Sequence, residues 1–121
     1  MAIISKEELI KWQTDEEFQF KMIERNAYNL GYIINPSYDL KLKAININGE
    51  TIQYIKDQNE ELKINAVRSS RYAIRYIKDQ NEEILNEIIS NRYLKYLNEI
   101  IRYIDIIKFP EFYNKYKFLN Y

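Results

Sequence analysis

Cysteine and histidine are both absent from this chain of 121 residues. Without cysteine there is no disulfide, no thiolate nucleophile and no Cys-ligated metal. Without histidine the usual general base near neutral pH and the commonest transition-metal ligand are missing. Glycine and proline are scarce, two of each, which argues against an all-β fold with its many tight turns. No apolar run approaches 18 residues, so nothing reads as membrane-spanning. The opening MAIISKEELIKW meets Lys6, Glu7 and Glu8 before the apolar core of a signal peptide could form. These absences together predict a cytoplasmic protein that is no enzyme, with no cofactor, no metal and no membrane partner.

What is present favours one compact domain over residues 1–121. Apolar residues make up 46% of the chain, enough for a modest core at this length. Formal net charge is zero, yet residues 1–60 carry seven Lys and Arg against ten Asp and Glu, and residues 61–121 carry eleven against eight. Ile, Asn, Lys and Tyr account for 58 of the 121 residues. AT-rich codons encode all four, which suggests a low-GC bacterium, a phage of one, or a large virus.

Internal repeats decide the architecture. The string YIKDQNEEL begins at Tyr54, and YIKDQNEEI begins at Tyr76, which sets the period. Residues 44–65 and 66–87, aligned at this period, share ten identities, and residues 22–43 share six with the copy that follows. Residues 88–109 form a degenerate fourth copy. The long helix of each unit places Phe18/Met22/Ile23, Leu40/Ala44/Ile45, Leu62/Ala66/Val67 and Ile84/Ile88/Ile89 at i, i+4, i+5, one helical face. A shorter helix follows, with Leu30/Ile33, Ile52/Ile55 and Ile74/Ile77 three apart. The helices are separated by Asn26-Ala27, Asn48-Gly49 and Ser70-Arg71, where Asn and Gly suit a turn. Small Ala44 and Ala66 would let neighbouring helices approach closely.

The fold expected is all-α, a short solenoid-like stack of about four 22-residue helical hairpins. Atypical segments cap both ends, residues 1–21 with Trp12 and the aromatic residues 110–121, as solenoids require. In the fourth copy the Lys-Asp-Gln linker is missing, so the spacing predicts one fused helix over 92–108, ended by Pro110. Tyr32, Tyr54, Tyr76 and Tyr96 recur with the frame and are expected to line the core or a groove.

The pattern Ala-(Ile/Val)-x-x-(Asn/Ser)-x-x-x-Ile-x-Tyr-Ile-x-x-x-Asn-Glu-Glu-(Leu/Ile) resembles short helical repeats of an uncharacterised family. They are classified only as a domain of unknown function, in giant-virus and some bacterial proteins. Ala44-Ile45, Asn48-Gly49 and Ile52-Gln53-Tyr54 carry the likeness best, and it covers about residues 14–97. It implies a stacked helical fold and lends no catalytic residue.

Asp57, Asn59, Glu60 and Glu61, and their repeats Asp79, Asn81, Glu82 and Glu83, are too closely spaced and glycine-free for a calcium loop. They read instead as helix starts, with Asn59 and Asn81 as caps and the glutamates in the first turn. The functional candidates lie on a basic, aromatic flank: Arg68, Arg71, Tyr72, Arg75, Lys78, Arg92, Tyr93 and Lys95. Positions that vary while the frame holds, Glu50/Tyr72, Thr51/Ala73 and Gln53/Arg75, are the expected readers of a partner. Tyr and Arg are enriched at interface hot spots. The expectation is a non-catalytic protein-binding module whose partner is acidic or itself binds nucleic acid. A sharper form is a phage or mobile-element inhibitor of a host defence system such as a CRISPR effector. RNA or DNA binding through the same flank is the alternative, and pairing of two copies through the aromatic tail is a further one.

Overall fold

The computed structural model describes residues 4–90 and 97–116. Among the described residues the chain is all-α, without a strand, and no helix is long and apolar enough to cross a membrane. The long helices are α1 (Lys6–Thr14), α2 (Glu16–Arg25), α3 (Tyr38–Ile47), α4 (Glu60–Ser69) and α5 (Glu82–Ser90). Short 3-10 helices, η1 (Ala27–Tyr32), η2 (Gly49–Tyr54) and η3 (Arg71–Tyr76), follow α2, α3 and α4. The chain continues with α6 (Leu97–Ile100), η4 (Ile101–Tyr103) and α7 (Pro110–Tyr116).

The starts of α2 to α5 recur with the period of the sequence because their caps do. Asp15, Ser37, Asn59 and Asn81 each accept a bond from the backbone N–H three residues on, at Phe18, Leu40, Leu62 and Ile84 (2.9–3.2 Å). Each bond satisfies one of the free donors of a helix N-terminus and contributes about 1 kcal/mol. Asn59 and Asn81 do a second job. Their Nδ2 groups donate backward, Asn59 to the Tyr38 hydroxyl (3.2 Å) and Asn81 to both Glu60 oxygens (2.8 Å). One side chain thus starts its own helix and ties it to the previous one.

The short helices are 3-10 rather than α. Their ends close by i→i−3 bonds, Ile33 to Leu30, Ile55 to Ile52 and Ile77 to Ile74 (3.0–3.2 Å). Residues three apart eclipse in a 3-10 helix, so the Leu30/Ile33, Ile52/Ile55 and Ile74/Ile77 pairs all point inward and are buried. Two layers result. In one, α2 to α5 lie side by side in chain order; in the other, η1 to η3 lie side by side, and α6 with η4 extends that row against η3. Between them run Ile23, Leu40, Ile45, Leu62, Val67, Ile84 and Ile88, all essentially inaccessible.

One expectation needs correction here. The fused helix over 92–108 does not form, because its described part is broken. That part is α6 with η4, Ile104 is extended, and residues 105–108 form a turn in which Asp105 Oδ1 accepts from the Ile107 and Lys108 N–H groups (3.1 Å each). The segment Ile101-Arg102-Tyr103-Ile104 repeats Ile74-Arg75-Tyr76-Ile77 out of step with the period set by Tyr54 and Tyr76, so a fixed frame misses it. Asn48-Gly49 does separate the long and short helices as expected, but no described residue has positive φ, so backbone freedom is not what requires the glycine. A Cβ there would lie 2.0 Å from the Ala66 carbonyl oxygen. The expected close approach at Ala66 is real, and its other side is glycine.

At the ends, Trp12 of α1 packs edge-on against Phe18 and Tyr32 (5.6 and 5.7 Å between centroids). Phe112 and Tyr116 of α7 pack against the far end of the core. Residues 117–121 lie outside the described residues.

Two stability tests follow. Gly49→Ala is expected to destabilise by roughly 1–3 kcal/mol or more, the scale of overpacking a rigid site. Gly31→Ala meets only the Tyr54 ring at 2.9 Å, which is free to swing outward, and should change stability by less than about 0.5 kcal/mol. Equal effects in urea melts would refute the close-approach argument. Asn81→Asp keeps a cap as good as asparagine but sets a carboxylate against Glu60. A loss of about 1 kcal/mol is expected, the size of one net hydrogen bond. Unchanged stability would show that the backward bond contributes nothing.

Candidate interaction face

The linkers hold the register of the stack through glutamine. Gln58 Nε2 donates to the Tyr76 carbonyl (2.9 Å) and its Oε1 accepts from Lys78 N–H (3.2 Å). Gln80 repeats this on Tyr103 and Asp105 (2.7 and 3.0 Å), and Gln13 on Tyr32 and Ile34 (2.8 Å each). A primary amide offers the donor and acceptor that an extended linker otherwise leaves unpaired. Pro36 occupies the Gln58 position of the preceding unit and has no side-chain amide to offer.

The linker edge is cross-tied by charge. Buried Lys63 donates to the Asp79 carbonyl (2.9 Å) and pairs with Glu60 (3.4 Å), while Lys108 reaches Asp79 Oδ1 at 2.9 Å. The hydrogen bond from Lys108, then the charges of Lys108 and Lys63, hold the Asp79 carboxyl below its ordinary value. Tyr38 donates to Glu61, and this bond raises the phenol above its usual range. Among the described residues no cluster of acidic side chains is arranged to hold a metal ion.

On the short-helix edge the structure places the predicted residues in different surroundings. Arg68 lies in the last turn of α4 and pairs with Glu87 of α5 (2.7 Å), a bond that raises its pKa. Arg71 and Tyr72 open η3, and both meet Glu99: Arg71 Nε at 3.5 Å, the Tyr72 hydroxyl as a donor. The Arg71 guanidinium also covers the Tyr72 ring at 4.6 Å. Arg75 reaches back to Glu50 (2.8 Å) and lies over Tyr76 at 4.7 Å. Burial lowers its pKa, and hydrogen bonding to Tyr103 with the charge of Glu50 more than reverses this. Lys78 sits exposed in a linker, away from the others. Arg92, Tyr93 and Lys95 lie outside the described residues, as does Tyr96.

Arg71, Tyr72 and Arg75 thus share the short helix η3, but Arg71 and Tyr72 turn to Glu99 of the following segment and Arg75 to Glu50 of the preceding one, while Arg68 lies on α4 and Lys78 in the linker after η3. The outer side of the short-helix layer shows what the sequence reading missed. Tyr32 is 68% exposed and Tyr54 44%, so of the two expected placements, core or groove, the core is excluded for these rings, whereas Tyr76 is partly buried against the core. Tyr28 packs edge-on to Tyr54 (6.2 Å) and is itself partly in solvent. Its phenol is pushed up by burial and by Glu50. Along this side run Tyr28, Tyr32, Tyr54, Tyr76 and Tyr103, with Gln53, Arg75 and Arg102 at one recurring position between them. The IRYI string at 74–77 and again at 101–104 was the available signal for the far end of the row.

No family model, curated protein or solved structure matches this chain, so the likeness to uncharacterised helical repeats rests on the repeat itself.

The Asp79 pairing sets a pH dependence. A carboxyl lowered in the folded state adds stability above its unfolded value, and that stability is lost as pH falls through the folded value. The difference in melting temperature between the protein and Asp79→Asn should hold steady near neutrality and close on acidification below 3.8. A difference independent of pH would dismiss the ion pair as its source.

Proposed function

We propose that this protein is a non-catalytic binding module that engages a protein partner through the outer side of its short-helix layer. The row of exposed tyrosines at Tyr28, Tyr32 and Tyr54, above a buried aliphatic frame, is the observation that carries this reading. Tyrosine supplies large contact area at little conformational cost and is enriched at hot spots. Gln53, Arg75 and Arg102 alter the chemistry along the row while the supporting isoleucines stay the same. Repeat stacks separate framework from surface in this way.

The pairing of Arg68, Arg71 and Arg75 with Glu87, Glu99 and Glu50 supports a protein over a nucleic acid as partner, because much of the flank's positive charge is already neutralised. A narrower form of the proposal is an inhibitor, carried by a phage or mobile element, of a host defence protein such as a CRISPR effector. Its support is the AT-rich composition together with the lack of histidine and cysteine.

The test is capture of partners from lysate of a low-GC bacterium by tagged protein, with and without nuclease, repeated with Tyr32→Ala/Tyr54→Ala. Both rings are largely exposed and each makes one edge-on contact, with Trp12 and Tyr28, so the double variant should lose about 1–3 kcal/mol and stay folded. Its capture of a nuclease-resistant protein should fall about tenfold or more, as for loss of a hot spot. Retained capture would remove the tyrosine row from the interface. Recovery abolished by nuclease and weakening steeply with salt would move the partner to RNA or DNA.

A further inference from the structure

The joints between successive units are tied unevenly. At the first, Gln13 bonds the Tyr32 carbonyl and the Ile34 N–H, and Gln19 donates to the Trp12 carbonyl (2.7–2.8 Å). Between the α3–η2 and α4–η3 units, Gln58 donates to the Ile52 and Ile55 carbonyls (3.3 and 3.2 Å), and Ser69 Oγ accepts from Gly49 N–H (3.0 Å). Tyr38 with Glu61 and Arg75 with Glu50 add to that joint. Between α4 and α5, Lys63 holds the Asp79 carbonyl, Asn81 holds Glu60, and Arg68 pairs with Glu87.

The joint between residues 4–34 and the α3–η2 unit is different. Among the described residues no side chain bonds a backbone group across it. Lys43 meets Glu24 at 3.8 Å with both side chains exposed, a pair of the kind that contributes little. Tyr28 lies edge-on to Tyr54, with its hydroxyl at Asn48. Pro36 accounts for the difference. It stands where Gln58 and Gln80 stand in later linkers, and its side chain has neither donor nor acceptor. The Leu30 and Ile33 carbonyls, counterparts of Ile52 and Ile55, therefore receive no amide. What remains is Ile23, Leu30 and Ile33 in one apolar core with Leu40, Ile45 and Ile52, and such adhesion has no direction.

We infer that the stack opens at this joint, so that residues 4–34 part from α3 and η2 as one body while the later units stay closed. The body holds together because Gln13, Gln19 and the Trp12 ring tie α1 to α2 and η1. Opening divides the tyrosine row, since Tyr28 and Tyr32 leave with the body and Tyr54 stays behind. It also uncovers Leu40, Ala44 and Ile45, which are otherwise inaccessible. A partner that grips both sides of the joint binds only the closed form and holds it shut. The joint belongs to the stack itself, so the inference stands or falls apart from the function proposed above.

Native-state hydrogen exchange at matched positions tests this. The N–H groups of Asn26, Asn48 and Ser70 close the three long helices, and those of Ile33, Ile55 and Ile77 close the three short ones, by the same bonds (2.8–3.2 Å). Fraying of a helix end is alike across each set, so a step between units reports a joint. Asn26 and Ile33 should exchange together, at least about tenfold faster than Asn48 and Ile55, which should match Ser70 and Ile77. Pro36→Gln supplies the amide, and Pro36→Ala removes the ring without supplying it. Relative to Pro36→Ala, Pro36→Gln should slow Asn26 and Ile33 about fivefold, the effect of one net hydrogen bond, and leave Ser70 and Ile77 unchanged. Equal protection in all three units, or a gradual fall from Ser70 through Asn48 to Asn26, would overturn the inference. Identical exchange in the two variants would also overturn it, because the missing amide would not be what frees the joint.

Discussion

A stack of short helices multiplies helix ends, and every end leaves backbone N–H and C=O groups in need of partners. That need governs this fold more than any single apolar contact. The long helices answer it at their starts with Asp15, Ser37, Asn59 and Asn81, and at their finish the next N–H closes the ladder, as Asn48 does onto Ala44 and Ser70 onto Ala66. Between units the burden falls on the extended linkers, where Gln58 and Gln80 supply both halves of an amide pair. Asn59, Asn81 and Gln58 each satisfy a neighbouring unit and their own at once. The period of the sequence is therefore the period of its hydrogen bonding, and the apolar face follows from it.

The long helices were legible because their signals are local. A cap three residues before its target, and apolar residues at i, i+4 and i+5, can be read within one turn. The short helices were legible as apolar pairs three apart, although the 3-10 geometry that explains this spacing was not. Gly49 shows why some of the packing stayed hidden. The reason for the glycine is the Ala66 carbonyl of the following long helix, and nothing in Asn48-Gly49 distinguishes it from an ordinary turn. The last unit was misread for a different reason. An insertion between Tyr76 and Tyr103 stretches the usual spacing; a frame of fixed length falls on Asn98, and the nearby Tyr96 then reads as the counterpart that Tyr103 in fact is.

The candidate face was half legible. Arg71, Tyr72 and Arg75 were singled out as basic and aromatic, and the structure shows only that they share η3. Their partners Glu50 and Glu99 belong to the units before and after, beyond any helical periodicity, so the flank looked more positive than it is. Burial was left open in the sequence. A tyrosine that recurs with the frame can line the core or a groove, and Tyr32 and Tyr54 precede the buried Ile33 and Ile55 by one residue. In a 3-10 helix one residue is a third of a turn, which carries the ring from the interior to the outside.

Some charge ties stay on one helix, as Lys21–Glu17 and Lys63–Glu60 do, and others cross units, and the two placements have different consequences. An exposed pair within one helix contributes only a few tenths of a kcal/mol and fixes nothing beyond that helix. The pairs Arg75–Glu50, Arg68–Glu87 and Lys63–Asp79 each join one unit to another. Individually they are weak, but each is satisfied in only one relative placement of the layers. Aliphatic contacts tolerate sliding, and the isoleucines facing one another across this core would accept several registers. Directional groups reject all but one. The glutamine amides and the cross-unit ion pairs thus select the register, while the isoleucines supply the adhesion, and a surface row of tyrosines keeps its spacing only because that selection is made beneath it.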